Sequence, residues 1–420
     1  MPTTVNVPRE KTLDNTLAFF REGYLFIKNR MDQYQTDLFI TRLLGEEVIC
    51  ITGEEAAKMF YDPEKFRRKG TVPYRIQQSL FGVNAIQTMD GDAHLQRKQL
   101  LLSILKPPQQ HTLAQMVLDR WMEAAEEWQK QNRRIVLLDE AKTVLCEVAC
   151  RWAGVPIKRS ELARRGNDFA AMVDAFGAIG PRHWKGRLAR NSVEAWFRDI
   201  ISDTRVGKRK AQEGTALHAI AFYKEDGKRM LDVQMAAIEL INIVRPIVAI
   251  ANFIVFSALA LHQYPHEAEK LRSGGDEHRE RFAQEVRRYY PFTPFLGNRV
   301  KQDFTWRGCH FKKDTLVLLD IYGMNHDSRL WEEPEQFRPD RFLKWDGGSF
   351  TFIPQGGGDP AKGHRCPGEH ITVEIMKATI EFLLHRIAYQ VPAQNLQYSL
   401  SRIPTFPESG FQIENVRLLT

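Results

Sequence analysis

A glycine-rich loop followed by a long apolar pattern is the feature of this 420-residue chain that most restricts its fold. The loop, residues 352–369, reads FIPQGGGDPAKGHRCPGE, and apolar residues then recur from Ile371 to Ile387. Its glycines allow the main chain to lie close against a flat ligand. Pro367 has no amide hydrogen and suits the first turn of a helix. The pattern predicts a tight loop that delivers Cys366 to a helix N-terminus.

Two interpretations of Cys366 are open. A lone cysteine near a helix start is most often a small buried apolar residue. A helix dipole and free amide groups would instead favour a thiolate at this position. With no second cysteine or other ligand pattern nearby, zinc is a poor fit, whereas a single axial ligand to haem iron is a plausible one.

The composition, 43% hydrophobic and 26% charged, is that of an ordinary globular protein. The cysteines are odd in number and scattered, so we expect no disulfide framework and a cytoplasmic location. They are Cys50, Cys146, Cys150, Cys309 and Cys366. Residues 1–16 are polar, and we expect neither a signal peptide nor a membrane anchor there. The longest apolar run, Ile247–Leu261, is shorter than the roughly 20 residues that span a bilayer and predicts a buried core helix.

The formal net charge of +7 is mild for this length. A basic cluster at residues 205–210 could contact nucleic acid, but solvated helix faces are more common and no nucleic-acid motif accompanies it. We therefore expect no nucleic-acid partner. A modest positive field slightly favours anionic small molecules.

Hydrophobic periodicity predicts a mainly α fold with a minor β part, in a single domain over residues 1–420. A hairpin is expected at 37–52, and a helix of about 30 residues from Asp232 to at least Leu261. Other helices are predicted at about 12–30, 54–61, 94–105, 110–131, 136–154, 159–174, 188–213, 215–223, 264–273, 277–290 and 367–387. Short strands are predicted at 295–300, 304–306, 309–311 and 315–320, and a strand-like tail ends the chain.

A glutamate and two arginines precede the cysteine loop. Glu285 and Arg288 are three residues apart on a predicted helix and can pair, and Arg341 follows in Pro-Asp-Arg-Phe at 339–342. Such a cluster would clamp the segment before the loop against the helix. With these three elements in this order, most of the chain resembles the cytochrome P-450 superfamily.

This resemblance implies a triangular helical prism with haem b between the long central helix and the loop. It makes Cys366 the axial thiolate, whose electron donation favours O–O cleavage, and Glu285, Arg288 and Arg341 the structural support. The loop departs from the usual pattern, because His364 stands where an arginine is typical and Phe352 lies fourteen residues before the cysteine. The longer loop speaks against a generic docking surface for a redox partner.

The long helix carries Arg245-Pro246 where oxygen-activating relatives place an acid–alcohol pair, and no Ser or Thr stands there. Pro246 removes a helical hydrogen bond and bends the helix. A buried arginine is costly without a partner. Glu239, six residues away and about 600° around the helix, is expected on another face. We therefore expect Arg245 to bind a ligand carboxylate, which its guanidinium matches bidentately.

This combination resembles the bacterial fatty-acid peroxygenases, which use hydrogen peroxide directly and need no redox partner. The resemblance implies hydroxylation of a long-chain fatty acid at the α or β carbon, with the carboxylate on Arg245 acting as general acid–base. The alternative is the related decarboxylase that forms terminal alkenes. A conventional monooxygenase is disfavoured by the missing acid–alcohol pair, and a non-catalytic haem or fatty-acid sensor would need no oxidant-forming pocket.

Six further residues match family positions in the pocket. Phe81 and Phe292 are expected on the acyl chain, although a lone Phe is more often core. Gln87 stands where the alkene-forming branch carries His, and a neutral amide cannot donate a proton as imidazolium can, so hydroxylation should dominate. His94, Lys98 and, less strongly, Arg68 match positions that hold the haem propionates, although an exposed polar helix face would look the same.

Overall fold

The computed structural model describes residues 7–225 and 227–419. The predicted polar N-terminal segment therefore lies partly outside the described residues, at positions 1–6. The helices in chain order are α1 (Thr16–Glu22), α2 (Leu25–Tyr34), α3 (Glu54–Phe60), α4 (Tyr74–Ile76), α5 (Gly91–Ile104), α6 (Pro107–Gln131), α7 (Leu137–Ala153), α8 (Leu162–Asp174), α9 (Pro181–Arg205), α10 (Ala216–Ala221), α11 (Val233–Ala249), α12 (Ala251–Gln263), α13 (Pro265–Ser273), α14 (Asp276–Tyr289), α15 (Ile321–Asn325) and α16 (Glu369–Glu381).

The strands are β1 (Leu38–Leu43), β2 (Glu46–Ile51), β3 (Phe66–Arg67), β4 (Ile135–Val136), β5 (Lys224–Glu225), β6 (Arg229–Met230), β7 (Phe295–Val300), β8 (Phe304–Trp306), β9 (Cys309–Phe311), β10 (Leu316–Asp320), β11 (Ile387–Gln390) and β12 (Gln412–Leu418). Helix therefore predominates and strand is the smaller part, as predicted.

The predicted N-terminal hairpin becomes the edge of a five-stranded mixed sheet in the order β1-β2-β10-β7-β3. Strand β10 pairs in parallel with β2, with Leu318 opposite Cys50, and antiparallel with β7, with Leu318 opposite Gly297. The predicted strands at 295–300, 304–306 and 309–311 have the observed bounds. Strand β12 joins β11 and β4 in a second sheet, which ties the C-terminus to the middle of the chain.

The predicted first helix, 12–30, is wrong in its extent, because the chain forms two helices that Gly23 separates. Gly23 has a φ of 57°, in the left-handed region that favours glycine. A Cβ atom there would lie 2.3 Å from the carbonyl oxygen of Leu400. The helix is therefore interrupted at Gly23 because the distant segment around Leu400 packs closely against it.

Two more predicted helices shift at their ends. Helix α9 begins at Pro181, a favoured first helical position, and ends at Arg205 rather than residue 213. Helix α16 begins at Glu369, so Pro367 precedes it, and a π-helical turn at Phe382–Arg386 follows it. Cys366 thus lies three residues before the helix rather than directly before it.

The long central helix forms as predicted, with a short interruption between α11 and α12 at Ile250. Among the described residues, Val233–Gln263 is the one helical stretch long and apolar enough to cross a membrane, and 89% of its apolar window is buried in the protein. Its apolar side chains contact the core from α7, α8, α9, α14 and α16. It is a core helix, as expected for Ile247–Leu261.

Candidate active site

Cys366 lies at the end of the glycine-rich loop, with its amide donating to the carbonyl of Gln355 at 3.0 Å. The side-chain amide of Gln355 is 3.8 Å from the sulfur. Desolvation raises the pKa of the Cys366 thiol, although the amide of Gly368 and the ammonium of Lys98 lower it. Burial therefore opposes the thiolate that the sequence predicts, whereas the Gly368 amide and Lys98 favour it. A coordinated metal ion deprotonates a thiol outright.

Charged side chains fix the backbone around this cysteine. Lys98 on α5 is 2% exposed, and its ammonium donates to the carbonyls of Gly363, at 3.1 Å, and of Arg365. Arg365 donates to Glu369 at 2.6 Å, and Arg287 on α14 donates to the other oxygen of the same carboxylate. Helices α5, α14 and α16 therefore hold the loop from three sides.

Phe352, fourteen residues before the cysteine, is fully buried and begins the loop in an aromatic cluster. Its ring lies 5.2 Å from that of Phe342 and 5.7 Å from that of Trp331. The guanidinium of Arg287 lies 5.2 Å from the centre of the Phe352 ring. This phenylalanine therefore packs on the preceding segment and on Arg287 of α14.

His94 and His364 lie together on the other side of the loop, with ring centres 4.0 Å apart. Burial lowers the pKa of His94 to about 3 and that of His364 to about 4, so both rings are neutral at pH 7. His364 is 3.7 Å from the carboxylate of Asp90, which also accepts from the amide of Arg68 at 2.8 Å. Arg68 is 8% exposed and donates to the carbonyl of Gly297 at 2.7 Å.

These residues fit an anionic group. Arg68, His94 and Lys98 are all buried, and the Nε of Arg68 has no hydrogen-bond partner in the described part of the chain. A buried donor without an acceptor costs free energy that a bound carboxylate would restore. Their role at the haem propionates nevertheless stays a prediction.

Glu285, Arg288 and Arg341 meet in the interior. Glu285 and Arg288 are fully buried and form two hydrogen bonds, at 2.7 and 2.8 Å, and Arg341 reaches the same carboxylate at 3.1 Å. Arg288 also donates to the carbonyls of Asn325 and Pro334 at 2.7 and 2.9 Å. The cluster thus joins α14 to the irregular segment that leads into the cysteine loop.

Arg245 on α11 is 7% exposed, and its Nε has no hydrogen-bond partner among residues 7–225 and 227–419. Its guanidinium lies 5.8 Å from the centre of the Phe81 ring. Burial, and then the charge of Arg190, lower the pKa of Arg245 to about 9, and Cys366 acts in the opposite direction. Arg245 is therefore a cation at pH 7.

Glu239 does not pair with Arg245. Its carboxylate accepts from Arg97 at 2.7 Å and from the amide of Ile86 at 3.3 Å. Pro246, inside α11, cannot donate to the carbonyl of Asn242. Within residues 7–225 and 227–419, Arg245 therefore has no carboxylate partner.

Gln87 lies in the 3-10 turn Ile86–Thr88, and its side-chain oxygen is buried without a hydrogen-bond partner in the described residues. Phe292 packs on Phe253 of α12 at 4.7 Å, and its carbonyl accepts from the hydroxyl of Tyr24 at 2.8 Å. Phe81 thus has an observed contact with Arg245, whereas the contacts of Phe292 lie with α12 and the N-terminal helices.

Sequence reasoning missed Arg287, Glu369 and Gln355, which hold the cysteine loop. Only Arg287 could have been predicted from the sequence. It precedes Arg288 on the same helix, and two successive side chains point about 100° apart and can bind two different partners. No group of three His, Cys, Asp or Glu side chains suited to a metal ion occurs in the described ranges.

Comparison with known proteins defines the class. The family model for cytochrome P-450 matches residues 280–413. The cytochrome P-450 120 protein of Synechocystis sp. is 25% identical over 442 residues, covering 96% of this chain and 94% of its own. The solved structure of cytochrome P-450EX alpha (CYP152N1) with myristic acid is 40% identical, covers 98% of this chain and 99% of its own, and has a TM-score of 0.95.

A second solved structure, ligand-free cytochrome P-450 OleT, is 38% identical, covers 99% of both chains and has a TM-score of 0.95. The chain belongs to the cytochrome P-450 superfamily and, within it, to the CYP152 family of fatty-acid peroxygenases. It is an oxidoreductase of that class, and the family implies haem ligated by a cysteine thiolate.

Proposed function

We propose that this protein hydroxylates long-chain fatty acids at the α or β carbon and uses hydrogen peroxide as oxidant. The observation that carries the proposal is Arg245, a buried cation without a carboxylate partner in the described chain. Solved relatives support the substrate class, since their structures are complexes with myristic acid, arachidonic acid and (R)-ibuprofen, all carboxylic acids.

Haem b fits the residues around the loop, with Cys366 as its thiolate ligand and Arg68, His94 and Lys98 at its propionates. When bound, the haem supplies the oxidising chemistry, and sulfur donation favours O–O cleavage. The buried Nε of Arg68, which has no hydrogen-bond partner in the described residues, supports this assignment. The cytoplasm is the proposed location.

The chain contributes position and a proton path. Arg245 binds the fatty-acid carboxylate, which charge-assisted bidentate hydrogen bonds orient. Because α11 has no acid–alcohol pair beside Pro246, the bound carboxylate itself takes and returns the proton of the peroxide. Anchoring at the carboxylate leaves the α and β carbons as the reacting positions, and Phe81 and Phe292 contact the acyl chain. No electron-supplying partner is needed.

The second candidate is decarboxylation to a terminal alkene. The high similarity to cytochrome P-450 OleT supports it, since the family's alkene-forming branch uses the same oxidant and pocket. Gln87 argues against it as the main path, because a neutral amide cannot donate a proton as imidazolium does.

Product analysis tests the proposal. Purified holoenzyme, a long-chain fatty acid and hydrogen peroxide should give mainly 2- and 3-hydroxy acids without NADPH or a reductase. A product that is mostly 1-alkene would favour the second candidate, and turnover that requires NADPH and a reductase would contradict both.

Two variants test the roles of residues. Arg245→Ala should lower fatty-acid turnover by about a hundredfold or more, since a charge-assisted hydrogen bond contributes about 1.5–3 kcal/mol and this site offers two. It should still bind haem. Cys366→Ala should lose the thiolate-type spectrum of the reduced carbon monoxide complex, and survival of that spectrum would mean that another residue is the ligand.

A further inference from the structure

Arg190 on α9 is a buried arginine that the proposed chemistry does not use. Its side chain is 1% exposed, although arginine rarely lies this deep without a specific task. Its Nε donates to Glu194 at 2.5 Å, and its Nη1 donates to the carbonyl oxygen of Leu80 at 2.8 Å. The other oxygen of Glu194 accepts from Gln234 at the start of α11, at 2.6 Å. One ion pair therefore connects α9, α11 and the segment before Phe81.

The Leu80 carbonyl needs such a donor because the segment ends there. Residues 77–81 form a π-helical turn, closed by a hydrogen bond from the amide of Gly82 to the carbonyl of Gln77 at 2.7 Å. The last carbonyls of a helical segment have no helical donors. Arg190 supplies the donor from outside the segment.

Gly82 shows how closely the guanidinium approaches. Its φ of 93° favours glycine. A Cβ atom there would lie 2.5 Å from the Nη2 of Arg190 and 2.6 Å from Ile238 on α11. The chain turns at Gly82 in a space that a methyl group would already fill.

The hydrogen bond from Arg190 to the Leu80 carbonyl also restricts the backbone of Phe81. The carbonyl of Leu80 and the amide of Phe81 belong to one planar peptide unit, so a hydrogen bond to the first restricts the orientation of the second. The Phe81 ring in turn lies 5.8 Å from the guanidinium of Arg245. A contact path therefore runs from Arg190 through this peptide to the proposed carboxylate anchor.

We propose that Arg190, with Glu194, is a positioning residue that holds the Leu80–Phe81 peptide and thereby sets where the α and β carbons of the substrate lie. This inference rests on the proposed function. Arg190 does not bind the carboxylate itself, because its charge is already paired with Glu194. Its loss should change the site of hydroxylation and the rate more than the affinity for the acid.

Arg190→Met in the holoenzyme tests this. The α-to-β product ratio should change by about threefold or more and kcat should fall by about tenfold, since a misplacement of about 1 Å can cost on the order of a hundredfold. KM for the fatty acid should change by less than about threefold, because the Arg245 contact remains. Arg190→Lys, which keeps one donor, should recover part of the product ratio.

Arg205 offers a matched control on the same helix. It also donates to a backbone carbonyl, that of Ala221 at 2.8 Å. In both arginines the Nη2 has no hydrogen-bond partner in the described residues. Arg205→Met should leave the product ratio unchanged. If Arg190→Met proves too unstable to load haem, Glu194→Gln removes the carboxylate that holds the same guanidinium and should shift the product ratio in the same assay.

Three outcomes would overturn the inference: an unchanged product ratio and kcat per bound haem in Arg190→Met, an equal change in Arg205→Met, or a KM increase as large as that of Arg245→Ala. The wild-type reaction distinguishes failure of the positioning role of Arg190 from failure of the proposed function. If the wild type forms no hydroxy acid from fatty acid and peroxide, the proposed function fails; if it does and the variants match it, only the positioning role fails.

Discussion

Two charged residues of α11 have opposite environments. Glu239 is fully buried and has Arg97 as an internal partner, while Arg245, also buried, has no carboxylate partner in the described part of the chain. Burying a charge without a partner costs several kcal/mol. A ligand carboxylate bound to Arg245 would offset this free-energy cost, and the proposed function therefore depends mainly on this residue.

Gln87 permits a test at the same scale. Gln87→His should raise the share of terminal alkene in the products several-fold, because imidazolium donates a proton where the amide cannot. Gas chromatography of the products from one fatty acid with peroxide measures the share. Gln87→Asn, which keeps a neutral amide, is the matched control, and an equal alkene share in both variants would exclude a proton-donating role at this position.

At the scale of elements, the cysteine loop depends on helices that do not contain it. Helix α5 contributes Lys98 to its carbonyls, and α14 contributes Arg287 to Glu369 at the start of α16. An adjacent face of α14 carries Glu285 and Arg288, which hold the preceding segment. One helix therefore positions both the loop and the segment that enters it.

Glu285→Gln should destabilise the protein by about 3–5 kcal/mol, since it leaves buried arginines without their carboxylate. Urea unfolding of the holoenzyme, read by both fluorescence and haem absorbance, measures this. Glu332→Gln is the control, because Glu332 is an exposed partner of Arg338 and should contribute less than about 1 kcal/mol. Equal midpoints for the two variants would contradict the bracing role.

Element boundaries show where sequence patterns stop being informative. The strands at 295–311 follow from alternating apolar residues and have the predicted bounds. The break at Gly23 and the end of α9 at Arg205 did not follow from periodicity. The first depends on the approach of Leu400, a residue that no local pattern brings near.

At the scale of the whole molecule, one buried carboxyl group couples stability to pH. Asp320 ends β10, is 1% exposed and accepts from the amide of Gly323 at 2.8 Å. Burial raises its pKa to about 7, above the value in the unfolded chain. The folded state therefore holds a proton that the unfolded state releases, so stability falls as pH rises from about 4 to about 7 and then levels off.

Asp320→Asn should remove this dependence. The variant should be more stable than the wild type at pH 8, by an amount on the order of 2–4 kcal/mol, and close to it at pH 4, because one pKa unit corresponds to about 1.4 kcal/mol. Thermal unfolding at both pH values measures the difference. An advantage that is the same at the two pH values would mean that Asp320 is not the titrating group.

By itself the sequence determined the mainly helical fold, the ligand candidate Cys366 and the placement of Arg245 on another helix face than Glu239. Each follows from short-range physics: periodicity, the turn chemistry of glycine and proline, and the angle between residues on one helix. Only the tertiary structure decided that Lys98 holds the loop carbonyls, that Arg97 neutralises Glu239 and that Arg190 holds the Leu80 carbonyl. These contacts join residues about 110 to 265 positions apart, and such pairs form only when distant elements pack, which no local pattern specifies.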